Sequence, residues 1–148
     1  MYVWRWTKTW YENGEQESKC SYFKGVKHGS LITWHPNGVI GSTCTYVEGK
    51  KEGDEATFYA NNKHESRTSY KSGKKHGKEE FWDEVTSGPK YSCHYVNGQK
   101  HGFEKSWYPN KQMQHSCKWN NGVKNGIEKT WNKNGKLTSQ CEWIAGKK

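Results

Sequence analysis

Along this chain, short runs of alternating apolar and polar residues are cut at near-regular intervals by glycine-bearing turns. In Leu137, Ser139, Cys141 and Trp143 against Thr138, Gln140 and Glu142, the period is two, which sets one series on each face of a β-strand. Five of the turn segments are one motif: Gly25-Val26-Lys27-His28-Gly29, Gly49-Lys50-Lys51-Glu52-Gly53, Gly73-Lys74-Lys75-His76-Gly77, Gly98-Gln99-Lys100-His101-Gly102 and Gly122-Val123-Lys124-Asn125-Gly126. A sixth begins at Gly146. The leading glycines stand 24, 24, 25, 24 and 24 residues apart, so the chain is a tandem array and is read by column.

Three residues before each leading glycine stands an aromatic: Tyr22, Tyr46, Tyr70, Tyr95, Trp119 and Trp143. A second aromatic column follows the second glycine, at Trp34, Phe58, Trp82, Trp107 and Trp131, with Trp10 in register one unit earlier. All five cysteines share a third column, Cys20, Cys44, Cys93, Cys117 and Cys141, whose remaining place is filled by Thr68. Between units lies a second turn, at Asn13-Gly14, Asn37-Gly38, Asn61-Asn62, Asn110-Lys111 and Asn134-Gly135, and Asn-Gly is a strong hairpin signal. The pattern predicts two short strands per unit. The fourth unit carries a one-residue insertion and replaces Asn-Gly by Ser87-Gly88-Pro89; a residue added at a hairpin tip leaves the strand register intact. The expected fold is all-β: an elongated, open antiparallel β-meander of about six hairpin repeats. It is one domain over 1–148, with units near 1–24, 25–48, 49–72, 73–97, 98–121 and 122–145.

An array of units reading aromatic-x-x-Gly-x-x-x-Gly, then an aromatic, then Asn-Gly, resembles the MORN (membrane occupation and recognition nexus) repeat in its bacterial-type variant, over essentially the whole chain. The resemblance implies a β-hairpin array used as a binding or scaffolding surface rather than as an enzyme. It also implies kinship with arrays that look like bacterial antitoxins and with arrays of large DNA viruses. The more familiar form of the repeat has further glycines and a second tyrosine, which this chain lacks, so the lipid-binding role in the family's name does not carry over directly.

At 148 residues, 30% hydrophobic and 15% aromatic, the chain holds too little aliphatic material for a two-layer core, and the aromatic columns are expected to form its spine. Open sheet edges leave unpaired backbone groups, so Tyr2-Val3-Trp4-Arg5-Trp6 is expected to fold back as a cap or to pair with a second copy in a homodimer. The opening residues do not read as a secretory signal, and no run approaches the ~20 apolar residues of a membrane span. A cytoplasmic protein, free or peripheral to a membrane, is the expectation.

Neighbouring cysteines of the column are two strands apart, about 10 Å, too far for a disulfide or a shared zinc, and they read as small core residues. His28, His76 and His101 share a turn column with Glu52 and Asn125 and read as solvated; Glu55, Glu79, Glu104 and Glu128 read as a solvated carboxylate face. No singular acid–base pair or nucleophile elbow stands out, so no catalytic residue, cofactor or metal is expected. The candidate partner-binding feature is the lysine column Lys27, Lys51, Lys75, Lys100 and Lys124, continued by Lys148 and flanked by Lys50, Lys74 and Lys147. With a net charge of +9, these residues at exposed turns make a basic ridge. A protein partner, met through the sheet face or this edge, is the first expectation; anionic lipid or nucleic acid on the ridge is the alternative. Trp4, Trp6, Tyr11, Tyr59 and Tyr108 are the aromatics expected to be exposed.

Overall fold

The computed structural model describes residues 3–148, and every regular element among them is a β-strand. The chain forms two compact units, one up to Lys74 and one from Lys75 onward. In the first, β1 (Trp4–Trp10), β2 (Gln16–Phe23), β3 (Val26–Trp34), β4 (Ile40–Val47), β5 (Lys50–Phe58) and β6 (His64–Lys71) each pair antiparallel with the next. The second holds β7 (Lys74–Trp82) from Lys75 onward, β8 (Pro89–Val96), β9 (Gln99–Lys100), β10 (Gly102–Trp107), β11 (Met113–Asn120), β12 (Val123–Lys124), β13 (Gly126–Trp131) and β14 (Leu137–Trp143). Its path runs β7-β8-β10-β11-β13-β14, with β9 on β8 and β12 on β11. The antiparallel meander read from the columns is the fold. Tyr2, in the apolar N-terminal stretch, lies outside the described residues, and the strand that follows it pairs with β2 from Trp4↔Phe23 onward.

The tightest turns begin one residue before each leading glycine. Glu48 and Gly49 both have positive φ, 49° and 79°, and the same pair of conformations recurs at Asn97-Gly98 and Asn121-Gly122, the signature of a type I′ hairpin whose twist matches the strands. The motif lysines therefore lie inside strands and not at turn tips. At the other end of each hairpin the loop is longer: Tyr11 N–H donates to Glu15 O at 2.9 Å and Gly14 N–H to Tyr11 O at 3.0 Å, and a register shift follows at the strand end. The insertion of the fourth repeat stays in its loop, where Asp83 Oδ1 accepts from Val85 N, Thr86 N and Thr86 Oγ1 at 3.1, 2.8 and 3.0 Å. Gly77↔Tyr95 keeps the register of Gly53↔Tyr70.

Adjacent repeats are strapped together at both ends. At the asparagine end, Asn37 Nδ2 donates to Ala60 O at 2.8 Å and Asn110 Nδ2 to Lys133 O at 2.7 Å, while each Oδ1 caps its own loop. Tyr11 Oη and Tyr108 Oη reach the carbonyls of Trp34 and Trp131 at 2.6 and 2.9 Å, so these two tyrosines are half-buried straps and not free rings. Asn110→Ala removes one bond between repeats and one within its loop and is expected to cost about 1–2 kcal/mol, checked by chemical denaturation; a cost near zero would mean that solvent replaces both bonds.

The buried side chains are small or charged: Cys20, Cys44, Cys93, Cys117, Ser21, Ser66, Thr68 and Glu79. This corrects the expectation of an aromatic spine. Tyr22, Tyr46, Tyr70, Tyr95, Trp119, Trp143, Trp34, Phe58, Trp82, Trp107 and Trp131 are all half-buried, and Trp10, on the outermost strand of its unit, is 58% exposed. The reason is geometric: within one sheet a thiol is covered by its neighbours, whereas a ring projects past them and keeps one side in water.

Candidate functional site

One face of each unit carries the cysteine column, the first aromatic column, the motif lysine and the glutamate four residues after that lysine. In a regular strand those two charged residues would stand about 13 Å apart at Cα, at roughly 3.3 Å per residue. Between them sits the second glycine of the motif with left-handed backbone, Gly53 at φ +76° and Gly102 at +79°, which bends the strand and brings the pair together. Lys51 Nζ meets Glu55 Oε1 at 2.6 Å and Lys124 Nζ meets Glu128 Oε1 at 2.5 Å; Lys75 pairs with Glu79 and Lys100 with Glu104 in the same way. Each ammonium also lies over a ring of the aromatic column, Lys27 over Tyr46 at 5.2 Å, Lys51 over Tyr70 at 4.9 Å, Lys75 over Tyr95 at 5.0 Å, Lys100 over Trp119 at 5.0 Å and Lys124 over Trp143 at 4.8 Å.

The lysine column thus differs from the exposed ridge read from the sequence. Its members are half-buried, and four of them are neutralised by carboxylates. Lys27 lacks a column glutamate, because Leu31 stands in that place. Lys50 and Lys74 point to solvent. The glutamates differ likewise from a solvated face: Glu79 is buried, and Glu55, Glu104 and Glu128 are half-buried.

Glu104 and Glu128 are each held by four groups. Glu104 accepts from Lys100, from Tyr91 Oη at 2.7 Å, from Trp119 Nε1 at 2.7 Å and from the Cys117 thiol at 3.4 Å. Glu128 accepts from Lys124, from His115 Nε2 at 2.8 Å, from Trp143 Nε1 at 2.7 Å and from the Cys141 thiol at 3.5 Å. Burial alone would raise both carboxyl pKa values, but the hydrogen bonds and the lysine charge outweigh it and hold each at about 2. Burial pushes the thiols of Cys44, Cys93 and Cys117 up, Cys117 to about 12 with the Glu104 carboxylate adding to the effect. All five cysteines are free thiols. In denaturant without reductant all five should titrate, whereas in the native protein at pH 8 the half-exposed Cys141 should react first and Cys93 and Cys117 last, read by mass spectrometry of alkylated peptides. Uniform reactivity would contradict the burial of the column.

The histidine column also has a structural use. His28 Nδ1 accepts from Glu48 N at 3.4 Å, Glu52 Oε2 from Ser72 N at 2.7 Å, His76 Nδ1 from Asn97 N at 3.3 Å and Asn125 Oδ1 from Ala145 N at 3.2 Å. Each caps the tight turn of the next repeat. At these four places any acceptor serves, which explains the mix of His, Glu and Asn; His101 instead meets the Asn121 side chain, Nδ1 to Oδ1 at 3.2 Å.

The opposite face of the second unit carries an apolar groove. Strand alternation sets Phe103 and Lys105 away from Glu104, and Ile127 and Lys129 away from Glu128. Two adjoining hollows share Phe103 and Lys105; Trp82, Pro89, His94 and Trp107 line one together with the ion pair Lys78–Glu80, and Met113, Ile127, Lys129 and Trp131 line the other. Phe103 is 56% and Ile127 49% exposed, and Lys105 and Lys118 flank the Phe103 ring at 5.5 and 5.8 Å. Sequence reasoning missed this groove, although a signal existed: the residue after the second glycine is Ser30, Asp54 or Lys78 in earlier repeats and turns apolar only at Phe103 and Ile127. In the first unit the corresponding hollow, with Trp34 and Phe58, also contains Glu17 and Glu65. Of the aromatics expected to be exposed, Trp4 and Trp6 are so, at 55% and 53%, with Trp4 against Phe23 and His28 and with Lys19 over Trp6.

Distances between cysteines bear only on sites made of cysteines. The sheet also gathers a mixed set, His115, Cys117 and Glu128, whose ligating atoms lie within 4.8 Å of one another.

Residues 124–145 match the family model of the MORN repeat variant. No curated protein matches the chain.

Proposed function

We propose that the chain, whose repeat matching the MORN variant is one of six written to the same columns, is a MORN repeat protein acting as a non-catalytic scaffold that binds a protein partner through the groove of its second unit. MORN repeats are generally associated with protein- and membrane-binding scaffolds and are typically non-catalytic. The observation that carries the reading is the exposed Phe103 and Ile127 between the half-buried Trp82, Trp107 and Trp131, rimmed by Lys105 and Lys129. Aromatic anchors beside Lys105 and Lys129, with the Glu80 carboxylate already paired to Lys78, fit an apolar or aromatic segment with acidic flanks. Four of the column lysines, already paired, have little charge to offer a partner; Lys27 and the exposed Lys50, Lys74, Lys147 and Lys148 are what remains of the basic edge.

The test compares wild type with Phe103→Ser/Ile127→Ser and with Lys50→Glu/Lys74→Glu. Each is assayed by capture from the native source, by co-sedimentation with anionic liposomes and by gel shift with single-stranded nucleic acid, at low and physiological salt. The groove variant is expected to lose the captured protein by about tenfold or more while the edge variant keeps it. Retention by the groove variant, or steeply salt-dependent binding to liposomes or nucleic acid that the edge variant abolishes, would move the site to the lysine edge.

A further inference from the structure

The column two residues before the cysteine reads Ser18, Ser42, Ser66, Tyr91, His115 and Ser139. Only the fifth repeat places an imidazole there, and β11 then presents His115 and Cys117 on one face while β13 brings Glu128 against both. His115 Nε2 stands 2.8 Å from Glu128 Oε1, and all three ligating atoms lie within 4.8 Å of one another. Atoms around a tetrahedral zinc, each ~2.0–2.3 Å from it, stand about 3.3–3.8 Å apart, so the set needs only small side-chain adjustments to close on an ion. We propose that His115 Nε2, Cys117 Sγ and the Glu128 carboxylate form a three-ligand site for a zinc-class divalent cation, clamping β11 to β13.

A mixed nitrogen, sulfur and carboxylate donor set suits a borderline ion such as zinc better than magnesium or calcium, which take oxygen. The thiol gives its proton to solvent and the imidazole changes tautomer, giving up the Nε2 proton it shares with Glu128 and taking one on Nδ1 through solvent; thiolate and carboxylate then balance the dication, and the fourth position is left for water. The fourth repeat is an internal comparison, since Tyr91, Cys93 and Glu104 occupy the same places without a nitrogen ligand. The competitor is Lys124, whose ammonium holds Glu128 Oε1 at 2.5 Å. It already lies over the Trp143 ring at 4.8 Å and can stay there when it yields the carboxylate.

The experiment titrates the full chain, purified under reductant and stripped with chelator, with Zn2+ by calorimetry and with Co2+ by absorption. The expected result is one equivalent of metal, a thiolate-to-cobalt charge-transfer band and a rise in Tm with zinc. His115→Ser restores the residue the column uses elsewhere and Cys117→Thr the one at Thr68, so both variants should fold. Each should weaken binding by about 100-fold, and Cys117→Thr should also abolish the charge-transfer band. Lys124→Met removes the competing charge and should tighten binding on the order of tenfold. Undiminished binding in His115→Ser, or a cobalt spectrum without thiolate, overturns the proposal, as does an unchanged Tm at saturating zinc. The other four cysteines remain in Cys117→Thr, so adventitious thiol binding would survive there and be recognised.

Discussion

Replacing Glu104 by alanine is expected to destabilise the protein by on the order of 3 kcal/mol at pH 7, because it strands the Lys100 ammonium, the Tyr91 hydroxyl and the Trp119 indole N–H in a half-buried setting. The same residue makes the fold acid-sensitive. Its carboxyl sits at about 2 when folded against an ordinary 4.5, so the charged form is favoured by folding. The stabilisation is therefore fully present above about pH 4.5 and is lost as pH falls toward 2, and Glu128 acts in the same window. Denaturation curves for wild type and Glu104→Gln from pH 7 to pH 2.5 would show it: wild type should lose stability steeply below pH 4.5, and the variant should start lower and lose less. Parallel pH profiles would mean that Glu104 does not carry the acid dependence. The ladder also makes charge reversal costly where a free turn lysine would tolerate it. In Lys75→Glu, the new carboxylate would face the buried Glu79, an expected loss of about 3–5 kcal/mol.

Gly29→Ala is expected to cost clearly more than Gly53→Ala, although both glycines hold the same place in the motif. Both have left-handed backbone, φ +89° and +76°, and that conformation alone penalises a Cβ by roughly 1–2 kcal/mol. At Gly53 nothing lies within 4 Å of the added atom, so the conformational term should be the whole effect. At Gly29 the Cβ would stand 2.6 Å from Ser21 Oγ, which is buried and donates to His28 O. Displacing that hydroxyl should add roughly 1–3 kcal/mol by leaving buried polar groups unpaired. The difference between the two variants, measured by urea denaturation, isolates the steric part; equal costs would show that Ser21 swings aside freely.

The turns, strand pairing and cysteine register were legible in the sequence because recurrence fixes them: a column that repeats six times reports one environment. The lysine–glutamate pairing stayed hidden behind one assumption, that residues between turns lie in regular strands. The bend at Gly53 and its counterparts turns Lys51 and Glu55 from distant strand positions into a pair, and period-two reasoning contains nothing that foretells it. The aromatic columns misled for a related reason, since a periodic ring marks a recurring position without saying how many layers cover it. The groove and the His115 cluster lie where individual repeats depart from their own column, at Phe103, Ile127 and His115, and an average over repeats hides such departures.

The two kinds of strap between repeats point in opposite directions. At the asparagine end the earlier repeat donates to the later one, as from Tyr108 and Asn110 to the carbonyls of Trp131 and Lys133. At the tight-turn end the later repeat donates to the earlier, with Gly122 N–H on Lys100 O at 2.8 Å and Gly146 N–H on Lys124 O at 2.9 Å. A whole copy inserted or removed therefore reproduces both sets of donors and acceptors at the new junction, whereas a partial copy leaves one set without its mates. Unequal crossing-over between neighbouring repeats would lengthen or shorten the coding sequence in these same steps, so a lineage could change the number of repeats by duplication or loss and inherit a foldable product at each step.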